Sequence, residues 1–226
     1  MKKLLFYILF SNGLLAQIQQ TNNGSLNELT FFVSANNKQY SDAEGSRFLN
    51  EEFVPCEIVG FGETKFVRFN VVENVIEIKS GDGKVMTLSF NKYFDLKLLD
   101  GSNKEYVVRS YVNDKGKEDI SFFEKVFQNN NIIIFLKENI RYMPAKPAKS
   151  SYERAVSSKF IQGNDVHYYS LNEPSNFLIK QIPIKKKLFF EMFGEQSKSV
   201  EKFVKKEKLK LDKIDDLVRI MSEYSM

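Results

Sequence analysis

The chain has 226 residues with one cysteine, one histidine and no tryptophan, and its formal net charge at pH 7 is +4. One cysteine excludes an internal disulfide, and one histidine excludes the two- and three-histidine zinc sites of single chains. A chain of this length buries about 70% of its extended surface, so its core needs no such cross-links.

Residues 1–16 are predicted to be a secretory signal peptide. Two lysines precede an apolar run over residues 4–10, and Ala16 is a small residue suited to a signal peptidase. The run is shorter than the roughly 20 residues that span a bilayer, which makes a retained anchor helix the weaker alternative. Gln17, not cysteine, follows the cleavage point, so an N-terminal lipid anchor is excluded. We expect an exported protein, periplasmic or secreted, with no transmembrane segment after cleavage.

Residues 17–28 are polar and are predicted to be flexible, whereas residues 29–184 are predicted to form an antiparallel β domain. Apolar and polar residues alternate through this domain, and turn residues recur about every ten positions, which is typical of a β-meander. Residues 143–151 contain two prolines and are predicted to form a linker or long loop. The clearest predicted strands are 29–34, 65–70, 75–79, 86–90, 94–98, 106–112, 120–127, 132–136, 167–171 and 177–182.

The apolar period changes in residues 185–226, where two to three amphipathic helices are predicted. The first ends at Gly194, Ser197 or Ser199 caps the second, and Asp212 caps the third. The first helix places Leu188, Phe189, Met192 and Phe193 on its apolar face. The third carries a stripe of Ile214, Leu217, Val218, Met221 and Tyr224. We expect this stripe to pack on the chain's own sheet; a partner protein or a membrane surface is the alternative.

These elements predict an α+β fold that is mostly β: an antiparallel β-meander, as a curved sheet, half-barrel or sandwich, with two to three C-terminal amphipathic helices packed on it. Residues 180–226 hold 12 Lys and Arg against 8 Asp and Glu, and residues 17–179 hold 19 against 21. This basic tail could contact anionic lipid, polysaccharide or nucleic acid, but its interleaved acids favour a solvated helix face. Export and the presence of only 6 Arg beside 27 Lys argue against nucleic acid.

No pattern predicts a catalytic, cofactor-binding or metal site, so we favour a protein without enzymatic activity. His167 and Asp165 would share one strand face, but no Gly-Xaa-Ser-Xaa-Gly elbow accompanies them, and His167 is predicted to be structural. A thiol protease pair of Cys56 and His167 has no local support. Cys56 is predicted to be a buried, inert thiol.

Three further patterns have simpler explanations. Glu51, Glu52 and Glu57 suggest a glycosidase, but Glu51 and Glu52 would point to opposite faces of a strand, and surface charge is the better interpretation. Residues 81–84 (Gly-Asp-Gly-Lys) lack the Ser or Thr of a phosphate loop and predict a hairpin turn. The oxygens of Asp100, Ser102 and Asn103 predict a turn, not a calcium loop.

Motifs between residues 45 and 217 make the whole mature chain resemble a group of exported proteins of the Bacteroidota whose activity is not established. The motifs are residues 45–53 (GSRFLNEEF), residues 66–70 (FVRFN) with Ile76-Glu77 after them, and residues 208–217. The resemblance implies a secreted or periplasmic protein and supplies no functional residues.

Two functions remain open from the sequence. Export and the empty catalytic inventory favour a non-enzymatic binding or structural component of the bacterial cell envelope. The alternative is a periplasmic carrier of an apolar ligand, a lipid or lipoprotein acyl chain, because a meander with terminal helices is similar to the open half-barrel of lipoprotein-carrier proteins. A hydrolase is a remote third. Candidate partners are therefore an apolar ligand or an envelope protein, with no cofactor. A filled interior of the sheet would favour the binding or structural component, whereas an open Phe-lined cavity would favour the carrier.

Overall fold

The computed structural model describes residues 31–33, 40–90, 92–113, 116–150, 152–171 and 178–224. The predicted signal peptide, the segment 17–28 and Phe177 lie outside these described residues. Within them the protein is mostly β, with a curved sheet followed by three C-terminal α-helices, which confirms the predicted fold class. No helix in this described part is long and apolar enough to cross a membrane.

Strands and helices are numbered in chain order. The strands are β1 (Phe31–Val33), β2 (Val54–Ile58), β3 (Thr64–Asn70), β4 (Val75–Lys79), β5 (Val85–Leu88), β6 (Phe94–Leu98), β7 (Glu105–Val112), β8 (Glu118–Gln128), β9 (Ile132–Lys137), β10 (Ile140–Met143), β11 (Lys159–Gln162), β12 (Val166–Leu171) and β13 (Leu178–Gln181). The helices are α1 (Lys186–Glu191), α2 (Ser197–Glu207) and α3 (Ile214–Glu223).

Strand β7 is the junction of the sheet. One edge of β7 pairs with β8 along its whole length. The other edge pairs first with β6 and then, at Ser110 and Tyr111, with β13. The sheet therefore branches at β7. One branch runs β6-β2-β3-β4-β5-β1, and the other closes a ring of β7, β8, β9, β12 and β13.

The closure of this ring adds one parallel contact to the predicted antiparallel meander. Strand β13 runs parallel to β7, whereas the other paired strands that the structure describes are antiparallel. The predicted strands 167–171 and 177–182 do close the sheet, as expected, but through this parallel contact. Strand β13 pairs with β12 on one edge and with β7 on the other, so the ring depends on residues distant in sequence.

Alternating side chains of β7 and β8 separate two cores. Tyr106, Val108 and Phe122 face the first core, under the strands β2 to β6. Val107 and Phe123 face the opposite way, into the ring. Successive side chains of a strand point to opposite faces, so one pair of strands serves both interiors.

The third core lies between the outer face of β9 and the helices. Ile132 and Ile134 of β9 meet buried residues of all three helices. Leu217 and Met221 of α3 are buried there, which confirms that the apolar stripe packs on the chain's own sheet. In α1 the predicted Phe189 is buried, but its buried neighbour is Phe190 and not the predicted Leu188, which is exposed.

Both predicted helix caps are wrong. A 3-10 helix, Gly194–Gln196, runs directly into α2, so Ser197 is already its first residue. Lys213, not Asp212, precedes α3, and the carboxylate of Asp216 accepts a hydrogen bond from the backbone N–H of Lys210 at 2.9 Å.

Three strands were missed by the sequence prediction: β2, β10 and β11. Pro55 weakens the strand signal of β2, yet its carbonyl accepts a hydrogen bond from Leu99 N–H at 2.8 Å. Strands β10 and β11 form a separate two-stranded sheet on either side of the predicted loop.

Candidate functional site

A cleft of about 570 Å³ opens between the ring and the segment that leads into α3. Its walls come from the start of β12, from β9 and from the residues that follow β13. The lining residues are Leu136, Gly163, Asn164, Asp165, Val166, His167, Ile182, Ile184, Leu211, Asp212 and Ile214. Four parts of the chain that are separated in sequence thus meet at one site.

The apolar floor of the cleft belongs to the third core. Ile182 and Leu211 are buried, and Ile214 is partly buried against the same cluster. The backbone N–H of Ile182 donates to the carbonyl of His167 at 2.8 Å, which ties the floor to β12. The floor is therefore rigid, because it is also the packing surface of the helices.

His167 is the polar centre of the cleft. It lies opposite Leu136 of β9 and is half-buried. Burial lowers the pKa of His167 below its usual value, although the carboxylates of Asp165 and Asp212 act to raise it. The imidazole is therefore neutral at pH 7, so it can donate one hydrogen bond and accept another.

The cleft contains few polar side chains. Its polar side chains are one imidazole, two exposed carboxylates and the amide of Asn164. Among the described residues that line it there is no serine, threonine, cysteine or lysine nucleophile. His167 and Asp165 do meet here, as the strand pattern predicted, but no hydroxyl completes a triad.

A second cavity of about 340 Å³ lies at one end of the ring, with Val166 shared between the two cavities. Lys137 occupies it: its Nζ donates to the hydroxyl of Tyr111 at 2.7 Å and lies 4.1 Å from the ring centroid of that residue. Burial raises the pKa of the neighbouring Glu138. Since Lys137 and Tyr111 already satisfy each other, this cavity is the weaker candidate.

Cys56 and His167 do not form a pair. Cys56 lies in β2 with its side chain in the first core, whereas His167 lines the cleft beside the third. Burial raises the pKa of Cys56 to about 12, so the thiolate is absent at neutral pH. The predicted burial of Cys56 is confirmed.

The other sequence candidates lie on the surface. Glu51, Glu52 and Glu57 are exposed, which confirms their interpretation as surface charge. Residues 81–84 lie in the turn between β4 and β5, where Gly83 N–H donates to Ser80 carbonyl. Asp100 accepts from the N–H and hydroxyl of Ser102, as a turn requires. The described residues contain no group of His, Cys, Asp and Glu suited to a metal ion.

Sequence reasoning missed a buried ion cluster on the outer face of β3 and β4. Glu77 is 2% exposed and accepts from Nη2 of Arg68 at 2.6 Å. Arg47 reaches the same carboxylate at 4.0 Å, and the buried amide of Asn70 lies at 3.4 Å from it. The ring of Phe48 lies between the two guanidinium groups, 4.9 and 3.7 Å from their centres.

This cluster joins residues 45–53 to residues 66–70 (FVRFN) and to Glu77. Arg47 and Arg68 are two of only six arginines, and arginine scarcity was a signal that could have drawn attention to them. The backbone confirms the connection, because Val71 N–H donates to Arg47 carbonyl and Leu49 N–H to Phe69 carbonyl. The cluster fastens one segment onto the sheet, which is a structural role.

A scan against protein-family models matches none, and searches of curated proteins and of solved structures find no matching chain. The site's chemistry is therefore argued from its own residues.

Proposed function

We propose that this protein is an exported, non-enzymatic binding component of the bacterial cell envelope, and that its ligand occupies the cleft beside His167. The observation that carries the proposal is the cleft lining. Apolar side chains meet one neutral imidazole and two carboxylates in about 570 Å³, a volume typical of small-molecule sites. Polar groups that converge over an apolar floor are what a ligand site requires.

The packing of the phenylalanines favours this function over a carrier with an open Phe-lined cavity. Phenylalanines of the described chain fill all three cores, and none lines the cleft. The buried ones are Phe69, Phe94, Phe122, Phe123, Phe135, Phe189, Phe190 and Phe193. A ligand would therefore bind at the surface cleft, not inside the sheet.

The cleft's polar groups define the ligand class. The carboxylates of Asp165 and Asp212 accept hydrogen bonds, so the polar part of the ligand is expected to supply donors. The floor of Ile182, Leu211 and Ile214 suits an aliphatic part. We infer a ligand with a short apolar moiety next to an amine or another donor group, and not a free carboxylate.

Calorimetric titration with octylamine and octanoate tests this, because the two probes share one chain and differ in head group. Octylamine is expected to bind at least about tenfold more tightly, given two carboxylates in the cleft. Asp212→Asn should weaken octylamine binding by up to about fivefold, the range of an exposed charge pair. Asp215→Asn is the matched control, since Asp215 is also exposed but does not line the cleft.

Absence of octylamine binding, or equal loss in the two variants, would contradict a site at the cleft. A turnover product appearing in the same titrations would contradict the non-enzymatic function.

A further inference from the structure

Five consecutive exposed residues, 184–188, lie at the start of α1. Ile184 is 66% exposed and Leu188 is 48% exposed. Between them are three exposed lysines, Lys185 to Lys187. We call residues 184–188 the apolar-basic segment.

The apolar-basic segment is held rigidly on the surface. Directly after it, Phe189, Phe190 and Phe193 are buried in the third core, and directly before it Ile182 is buried. The N–H of Phe189 donates to the carbonyl of Lys185 at 3.0 Å. Because both flanks are anchored, Ile184 and Leu188 cannot turn inward to find a packing partner.

The lysines lie at an unfavourable end of the helix they begin. A helix N-terminus favours acidic side chains, yet no acid lies in the first turn of α1. One of the three, Lys187, lies 3.9 Å from Glu191 in an exposed i, i+4 pair. The interleaved acids that favoured a solvated face for the whole basic tail are thus missing from this segment.

We propose that the apolar-basic segment contacts the surface of an anionic phospholipid bilayer. Ile184 and Leu188 enter the headgroup region, and the lysines lie beside the lipid phosphates. Aliphatic side chains flanking a lysine cluster are the composition of interfacial segments, and the positive charge complements an anionic leaflet. The proposal is independent of any ligand in the cleft, although Ile184 also lines its rim.

Vesicle flotation tests the contact. The protein is expressed from the full sequence 1–226, purified, and mixed with vesicles of phosphatidylcholine alone or with an equal share of phosphatidylglycerol. It is expected to float only with the anionic vesicles and to dissociate at high salt, which screens the lysines. Each lysine near an anionic surface strengthens binding about fivefold. Replacing Lys185, Lys186 and Lys187 together by Gln should therefore weaken binding to the anionic vesicles about 100-fold.

The apolar contribution has its own variant. Ile184→Gln with Leu188→Gln should weaken binding about tenfold, because less apolar surface leaves water. Val59→Gln with Leu99→Gln is the matched control, since these residues are 57% and 45% exposed but lie after β2 and β6. The matched control for the triple lysine variant replaces Lys206, Lys208 and Lys210 by Gln; these three exposed lysines lie at the far end of α2. Both control variants should bind like the parent.

Three outcomes would overturn the proposal. The first is absence of binding to anionic vesicles by the parent protein. The second is equal loss in a segment variant and its matched control, which would show that total charge or total apolarity, and not the apolar-basic segment, decides binding. The third is unchanged binding after replacement of Ile184 and Leu188, together with equal binding to soluble polyphosphate, which would identify a polyanion site.

Discussion

Leu217 is the residue whose removal most directly tests how the helices belong to the fold. Its side chain is 0% exposed and lies in the third core, among residues of β9 and of the other two helices. Leu217→Ala deletes buried aliphatic atoms and leaves a cavity at the point where these elements meet. The change is expected to lower the free energy of unfolding by about 2–5 kcal/mol, the range for a buried leucine.

A loss of this size is large beside the roughly 5–15 kcal/mol that stabilises a domain. In a protein of 150–250 residues each kcal/mol shifts the melting temperature by about 2–4 °C, so Leu217→Ala should lower it by about 4–20 °C. Thermal unfolding followed by circular dichroism, beside the parent protein, measures the shift.

The matched control makes the same substitution at an exposed helical position. Leu188→Ala in α1 should cost less than about 1 kcal/mol, because that side chain is 48% exposed and stays largely in water. A shift of less than about one degree for Leu217→Ala, or equal shifts for the two variants, would refute the assignment of α3 to the core.

Other predictions concern the ion cluster, the cleft, the thiol and the leader. Glu77→Gln leaves Arg68 without its buried counter-charge and should lower the free energy of unfolding by about 3–5 kcal/mol, measured by urea denaturation; near-parent stability would contradict the role of the cluster. Burial lowers the pKa of His167 in the folded protein, so as pH falls the imidazole takes up a proton more readily in the unfolded chain than in the folded one. The free energy of unfolding should therefore fall as pH drops below about 6.5. His167→Gln should reduce this fall. An identical pH dependence of stability in the variant and the parent protein would contradict the contribution of His167. Cys56 should react with an aromatic disulfide reagent only after unfolding, so rapid labelling of the native protein would count against its burial. Mass spectrometry of the exported protein should show a chain that starts at Gln17; an intact Met1 would exclude cleavage after Ala16.

Local patterns were sufficient for most strands and for the helical stripe. Phe94, Leu96 and Leu98 alternate in sequence, and they are the buried residues of β6. The stripe through Leu217 and Met221 likewise marked the buried face of α3. Such predictions succeed because a side chain's direction follows from the period of its own strand or helix.

Features that depend on distant partners could not be read from these patterns. The parallel contact of β13 with β7 closes the ring, and no local sequence pattern in either strand predicts this contact. The cleft was hidden for the same reason, since Asp165, Ile182 and Asp212 meet only after the ring has closed and the helices have packed on it.

The sequence by itself determined the class of the fold, the positions of most turns, the burial of Cys56 and the apolar face of the last helix, because each rests on residues that are neighbours in the chain. Only the tertiary structure decided which strands pair across long distances, that Arg47, Arg68 and Glu77 share one buried cluster, and that Ile184 and Leu188 lie exposed on the surface. The physical reason is that pairing, ion contacts and exposure depend on what packs against a residue, and the partner lies far away in the sequence.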